Sequence, residues 1–133
     1  MNPFVVCLCG STRFRKEFTE INRQQTMEGR IVLAPGVFAH DGDPLTDEDK
    51  ERLDELHRHK IRLADGVIVI NPGGYIGDST RREIEYAEAV GVPVRYTHNE
   101  PISTMLGMFR RDEIEEDPKT AHRRAEISAV TRK

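Results

Sequence analysis

Residues 64–96 read ADGVIVINPGGYIGDSTRREIEYAEAVGVPVRY, and this stretch decides the fold. Gly66 to Ile70 is a short apolar, β-branched run, suited to a strand buried on both faces. Asn71 to Gly77 carries Asn-Pro, Gly-Gly and a further Gly, the marks of a loop. Asp78 or Ser79 can cap the next helix by accepting a bond from an orphan backbone N–H. Ile84, Ala87 and Val90, with Tyr86 alongside, give that helix an apolar side. Gly91 ends it, and Val92 to Tyr96 forms the following strand. The unit is strand, loop, helix, strand. Its chemistry belongs at the carboxyl end of the first strand, where glycines let the backbone approach a ligand and a helix start offers N–H groups to an anion.

Upstream, the same pattern recurs. Pro3 to Cys9 (PFVVCLC) is apolar throughout and reads as a central strand. Gly10, Ser11 and Arg13 follow at once, and a helix is expected from about Thr12 to Met27 or Glu28. Phe14, Phe18, Ile21 and Met27 would face the sheet, and Ser11 is a suitable N-cap. This is a second strand–Gly–helix junction, where Arg13 can add a bidentate grip on a phosphate or carboxylate. Gly29 to Ala34 reads as a short strand nearer an edge. Two parallel crossovers imply an α/β, three-layer, flavodoxin- or Rossmann-like sandwich with a mainly parallel sheet of four or five strands in the order 2-1-3-4.

Pro35 to Pro44 is a long Gly-, Pro- and Asp-rich loop, suited to covering a site. In it Phe38 and His40 are candidates to contact a base; the alternative is a loop anchor and a solvated histidine. Asp41 and Asp43 lack the spacing of a calcium loop. Thr46 opens a second helix, with Asp47, Glu48 and Asp49 in its first turn, running to about Leu63. Leu53, Leu56, Lys60 and Leu63 recur at helical spacing, with Ile61 alongside. His57 sits on this helix, pointing either to the loop after the first strand or to the far end of the sheet.

The string Ala-Asp, apolar strand, glycine-bearing loop, then Glu-Ile-x-Tyr-Ala-x-x-x-Gly-x-Pro-Val resembles the nucleoside 2-deoxyribosyltransferase superfamily. That group includes nucleoside deoxyribosyltransferases and deoxynucleoside 5'-monophosphate N-glycosidases. Cys-Gly-Ser-x-Arg resembles its opening loop, which approaches the sugar or its 5'-phosphate. The resemblance spans roughly residues 4 to 96. It implies that Glu83 is the catalytic nucleophile, about one turn inside its helix, where the dipole favours an ionised carboxylate. It also implies an acid eight residues before Asp65 to assist the leaving base. That position is His57 here, so either His57 or, one turn earlier, Asp54 takes the role, or the glycosidase chemistry is altered or lost. Two more departures stand out: Glu85 replaces a glycine, and Ser79-Thr80-Arg81-Arg82 replaces a slimmer glycine-tyrosine loop. The bulkier basic loop suggests a more anionic substrate. Ser79 and Thr80 supply hydroxyls and N–H groups, Asp78 a contact to a sugar hydroxyl, and Tyr75 either a stacking face or a packing anchor.

The implied reaction is cleavage or transfer at an N-glycosidic bond of a nucleoside or its 5'-monophosphate, with no metal and no organic cofactor. The alternative is a non-catalytic nucleotide-sensing module on the same scaffold. The resemblance further implies a homodimer or larger homo-oligomer with sites near subunit contacts.

Composition is compatible with this. The chain has 133 residues, a net charge of −3, 32% charged and 37% hydrophobic residues. That length holds one domain with a real core and not two. Its charge gives no reason to expect polymeric nucleic acid or a membrane surface as partner. No apolar run spans a bilayer and no secretory signal is evident, so a cytoplasmic protein is expected. Cys7 and Cys9 alternate on one strand and read as two small buried hydrophobes; a metal site there needs further ligands that spacing alone does not place. Residues 1–109 are assigned to the nucleotide-binding-like domain, including a short apolar helix over Pro101 to Phe109. Residues 110–133 form a charged C-terminal helix or tail, and an interaction role for this segment is a third reading.

Overall fold

A computed structural model describes residues 2–38, 42 and 44–98; His40, Asp41, Asp43 and everything after His98, where a short helix over 101–109 and a charged C-terminal helix or tail are expected, lie outside the described residues. Four strands, β1 (Val5–Gly10), β2 (Ile31–Leu33), β3 (Gly66–Ile70) and β4 (Val94–Tyr96), form one sheet in the order β2-β1-β3-β4. All three pairings are parallel, with Val5 opposite Ile31, Val6 opposite Gly66 and Val67 opposite Val94. Three helices, α1 (Arg15–Met27), α2 (Asp47–Leu63) and α3 (Asp78–Ala89), connect them. The result is the expected α/β three-layer sandwich.

The layers follow from the two-residue period of the strands. Val6, Leu8, Ile68 and Ile70 point to one face and pack with Phe18 and Ile21 of α1. Cys7, Cys9, Val67 and Val69 point to the other and pack with Ile61 of α2 and Ile84 and Ala87 of α3. The central β1 and β3 are buried on both faces, which is why they carry the apolar runs. Asp65 ties them at their amino ends: its carboxylate accepts from the Val5 N–H at 2.8 Å, and its own N–H donates to the Val5 carbonyl at 2.7 Å. Among the described residues no helix is long and apolar enough to cross a membrane.

Several boundaries differ from the sequence reading, each for a local reason. The first helix opens as a 3-10 turn over Thr12–Phe14, capped by Ser11, before α1 proper begins. Met27 does not face the sheet; it is 74% exposed, and Gln25 takes the buried place one heptad after Phe18. On α2 the inward stripe is His57, Ile61 and Ala64, while Leu56 and Leu63 are 51% and 44% exposed. A buried histidine shifts the stripe by one position, which hydropathy alone does not signal. Thr46 does cap α2, in a reciprocal capping box with Asp49. α3 starts at Asp78 with Gly77 as its cap, so neither Asp78 nor Ser79 caps it by side chain. β4 begins only at Val94, because Pro93 has no N–H to give; its carbonyl accepts from Val67 at 2.9 Å.

The carboxyl ends of β1 and β3 meet tightly. Gly10, paired with Ile70, has φ +154°, and a Cβ there would lie 2.7 Å from the Ile70 carbonyl oxygen. Gly10→Ala is therefore expected to lower stability by about 2–4 kcal/mol in urea denaturation. Gly36→Ala, where a Cβ meets nothing within 4 Å, is expected to stay within about 0.5 kcal/mol of the parent.

Candidate active site

After β1 the chain turns to α1 on one face, and after β3 it turns to α3 on the other. The crevice between those turns, at the carboxyl ends of the strands, is where an open parallel sheet binds ligands. A cavity of about 380 Å³ opens there. Its wall on the β1 side includes Gly10, Ser11 and Arg13. On the β3 side it includes Tyr75, Asp78, Ser79, Thr80 and Glu83, and α2 contributes Asp54 and His57. Ten of the candidates read from the sequence thus converge on one space. Phe38 does not line it: its ring packs edge-on against Phe18 at 5.9 Å and under the Arg15 guanidinium at 5.0 Å, on the α1 face. It is a loop anchor in this structure. His40 lies outside the described residues.

The β1 side is organised by Ser11 and Arg13. The Ser11 hydroxyl oxygen accepts from the Arg13 backbone N–H at 3.4 Å and from its Nε at 3.2 Å. The same guanidinium lies 4.6 Å from the centroid of the Tyr75 ring, which also meets Phe14 edge-on at 5.8 Å. Arg13 thereby bridges the two loops that frame the cavity, and Tyr75, 42% exposed, still offers ring surface. The loop after β3 is held from below by Asn71. Its side-chain oxygen accepts from the Thr97 hydroxyl at 3.2 Å and the His98 N–H at 2.9 Å.

The α3 start lacks a side-chain cap, and Gly77, Asp78, Ser79 and Thr80 line the cavity there, at the positive end of the helix dipole. Ser79 receives a donor from Arg82 at 3.4 Å.

Glu83 and His57 form the floor. His57 Nε2 stands 3.7 Å from Glu83 Oε2, with the two side chains 9% and 18% exposed. The open question of where His57 points is thus answered: it faces the loop after β1. Oε2 is buried and has no hydrogen-bond partner among the described residues. Burial raises the Glu83 pKa above its ordinary 4.5, and the nearby His57 charge opposes that only in part. Burial works to lower the His57 pKa; hydrogen bonding and charge from Cys7, with the Glu83 charge, outweigh it and carry it above 6.5. Asp54 is exposed, one turn up α2 at the cavity rim.

Behind His57 lie the two cysteines. Its Nε2 is 3.2 Å from Cys9 Sγ and 3.9 Å from Cys7 Sγ. A hydrogen bond from Cys9 draws the Cys7 thiol down to about 6, against its burial, while Cys9 is pushed up by the same interaction and its own burial. Their alternation on one strand places both on one face as small buried residues; only the fold shows that His57 meets them there. Lys60 was read only as part of the helical stripe. Its ammonium donates to the Ala34 carbonyl at 2.8 Å and fixes α2 over the end of β2.

Chain comparisons add no family: no protein-family model matches this chain, and no curated protein matches it.

Because both Glu83 and His57 have raised folded-state pKa values, the native state binds more protons than the unfolded one. Stability from these groups is complete below pH 4.5 for Glu83 and below 6.5 for His57, and is lost as pH rises through each folded value. Glu83→Gln removes the first loss and weakens the second. Its urea midpoint is expected to gain on the parent progressively as pH rises from 4.5 to 8. A constant difference across that range would show that the carboxyl is not destabilised by burial.

Proposed function

We propose that this protein cleaves or transfers at the N-glycosidic bond of a nucleoside or nucleoside 5'-monophosphate, in the manner of the nucleoside 2-deoxyribosyltransferase superfamily it resembles. The observation that carries this reading is Glu83. Its carboxyl lines a nucleoside-sized cavity, with one oxygen unsolvated and free of hydrogen bonds beside a titratable imidazole. A carboxylate oxygen without a donor keeps its lone pairs available for attack.

The steps are those of a retaining glycosidase. A Glu83 oxygen attacks the anomeric carbon, and the carbon–nitrogen bond to the base breaks with its electron pair leaving on the base. A proton from His57 or Asp54, both of which line the cavity from α2, neutralises the leaving base. The glycosyl ester on Glu83 is then attacked at the anomeric carbon by water, or by a second base, which loses a proton and frees the carboxylate. Ser11, Arg13 and the α3 start, with Ser79 and Thr80, suit a sugar 5'-hydroxyl or phosphate. Tyr75 offers a face for the base, and Asp78 an acceptor for a sugar hydroxyl. The burial of Glu83 serves the reaction as well: water held out of the floor strengthens each charge interaction there.

The test is a panel of nucleosides and 5'-monophosphates, with free base read by chromatography. The parent protein is expected to release base from at least one member. Glu83→Gln is expected to lose at least about a thousandfold in turnover while still binding substrate. Absence of release from every member, with thermal stabilisation by one, would replace this reading with nucleotide sensing.

The proton donor is separable. Loss of the true donor is expected to lower kcat by about 100- to 10,000-fold. kcat/KM should rise with pH as Glu83 ionises, above 4.5. A fall above 6.5 that vanishes in His57→Asn assigns the donor to His57; a fall that persists there excludes His57 as the donor.

A further inference from the structure

His57 Nε2 faces more partners than one nitrogen can serve. Cys9 Sγ at 3.2 Å, Cys7 Sγ at 3.9 Å and Glu83 Oε2 at 3.7 Å surround it. A neutral ring nitrogen offers one proton or one lone pair. The buried Glu83 oxygen accordingly ends without a hydrogen bond. Such crowding of soft donors around a point is poor hydrogen bonding and good coordination geometry.

We propose that Cys7, Cys9 and His57 form a binding site for a thiophilic divalent metal ion, with Zn²⁺ the ion that the donor set fits. The three ligand atoms lie within 4.8 Å of one another. A tetrahedral zinc with bonds of about 2.3 Å to sulfur and about 2.0 Å to nitrogen sets its donors about 3.5–3.8 Å apart. The observed nitrogen–sulfur separations, 3.2 and 3.9 Å, bracket that range. Small side-chain adjustments suffice to make the set regular. Placement is rigid where it must be. Both cysteines sit on one face of the central strand, fully buried, and His57 is 7% exposed on the helix packed over them.

Charge favours the same ion. Two thiolates and a neutral imidazole cancel a 2+ charge, so the loaded site buries a neutral unit; the two thiol protons leave to solvent on binding. Access runs from the cavity, since His57 and Glu83 both line it. Three protein ligands leave a fourth position for water or for the Glu83 carboxylate, the nearest further donor on the His57 side. An ion on Nε2 withdraws that nitrogen from proton transfer. Under the glycosidic reading with His57 as the proton donor, on which this consequence alone rests, the zinc-loaded protein is therefore the inactive form.

Metal-free, reduced full-length protein titrated with Co²⁺ tests the site without any substrate. The expected result is a thiolate-to-cobalt charge-transfer band and tetrahedral visible bands that saturate at one equivalent, and that Zn²⁺ bleaches. Cys7→Ser, Cys9→Ser and His57→Asn should each weaken binding by more than about 100-fold, with folding checked by circular dichroism. If a variant does not fold, the parent spectrum decides: a charge-transfer intensity of two thiolates supports the site. An octahedral spectrum without a thiolate band, or a band that survives in folded Cys7→Ser with Cys9→Ser, overturns it. Base release that continues with zinc bound would overturn the inactivation and leave the spectroscopic result to judge the site itself.

Discussion

Five residues of β1, Val6 to Gly10, pair in parallel with five of β3, Gly66 to Ile70. The rest of the molecule depends on how closely those two strands run. Their inward faces supply both halves of the core. Asp65 clamps their amino ends: its carboxylate accepts from the Val5 N–H and its own N–H donates to the Val5 carbonyl. At their carboxyl ends Gly10 lets the Ile70 carbonyl approach where any side chain would collide. Both site loops start from that contact. If the strands parted there by even the width of a methyl group, the cavity walls would separate and the Arg13–Tyr75 bridge between them would break.

The polar interior of the site is costly in the same place. Burying a carboxyl, an imidazole and two thiols in one cluster works against each charge separately, yet the groups relieve one another. His57 tempers the penalty on Glu83, and Cys7 and Glu83 hold the His57 proton against burial. Retaining such a cluster against the helix that carries Glu83 fits a site whose chemistry uses poorly solvated groups. The same features suit attack on a glycosidic carbon and capture of a soft ion; a proton on Nε2 and a metal on Nε2 exclude each other.

Strand β3 could be bounded from its residues because a β-branched run between Asp65 and Asn-Pro has few other conformations available. The sheet order followed from two strand–Gly–helix junctions, since parallel crossovers restrict topology severely. Helix faces were less legible. On α2 the leucines at 56 and 63 suggested a stripe that the fold leaves exposed, while the inward position belongs to a histidine. Hydropathy cannot announce a polar residue that is buried because its partners are waiting for it. Phe38 misled in the opposite way: an aromatic ring in a glycine-rich loop looks available for a base, but Phe18 and Arg15 already occupy its surroundings.

By itself the sequence determined what local rules govern: the alternation of strands and helices, the parallel sheet, the capped start of α2, and a carboxylate one turn inside a helix after a glycine loop. Those features depend on backbone preferences and on periodicities that span a few residues. Only the tertiary structure decided that Glu83, His57, Cys7 and Cys9 share one floor. They come from three elements, and His57 lies 26 positions from Glu83 and 48 from Cys9 along the chain. Their meeting is set by which way α2 is rotated over the sheet. That rotation is fixed by Ile61 and Ala64 seating in the core and Lys60 reaching the Ala34 carbonyl, a balance of packing and hydrogen bonding that no short stretch of sequence contains.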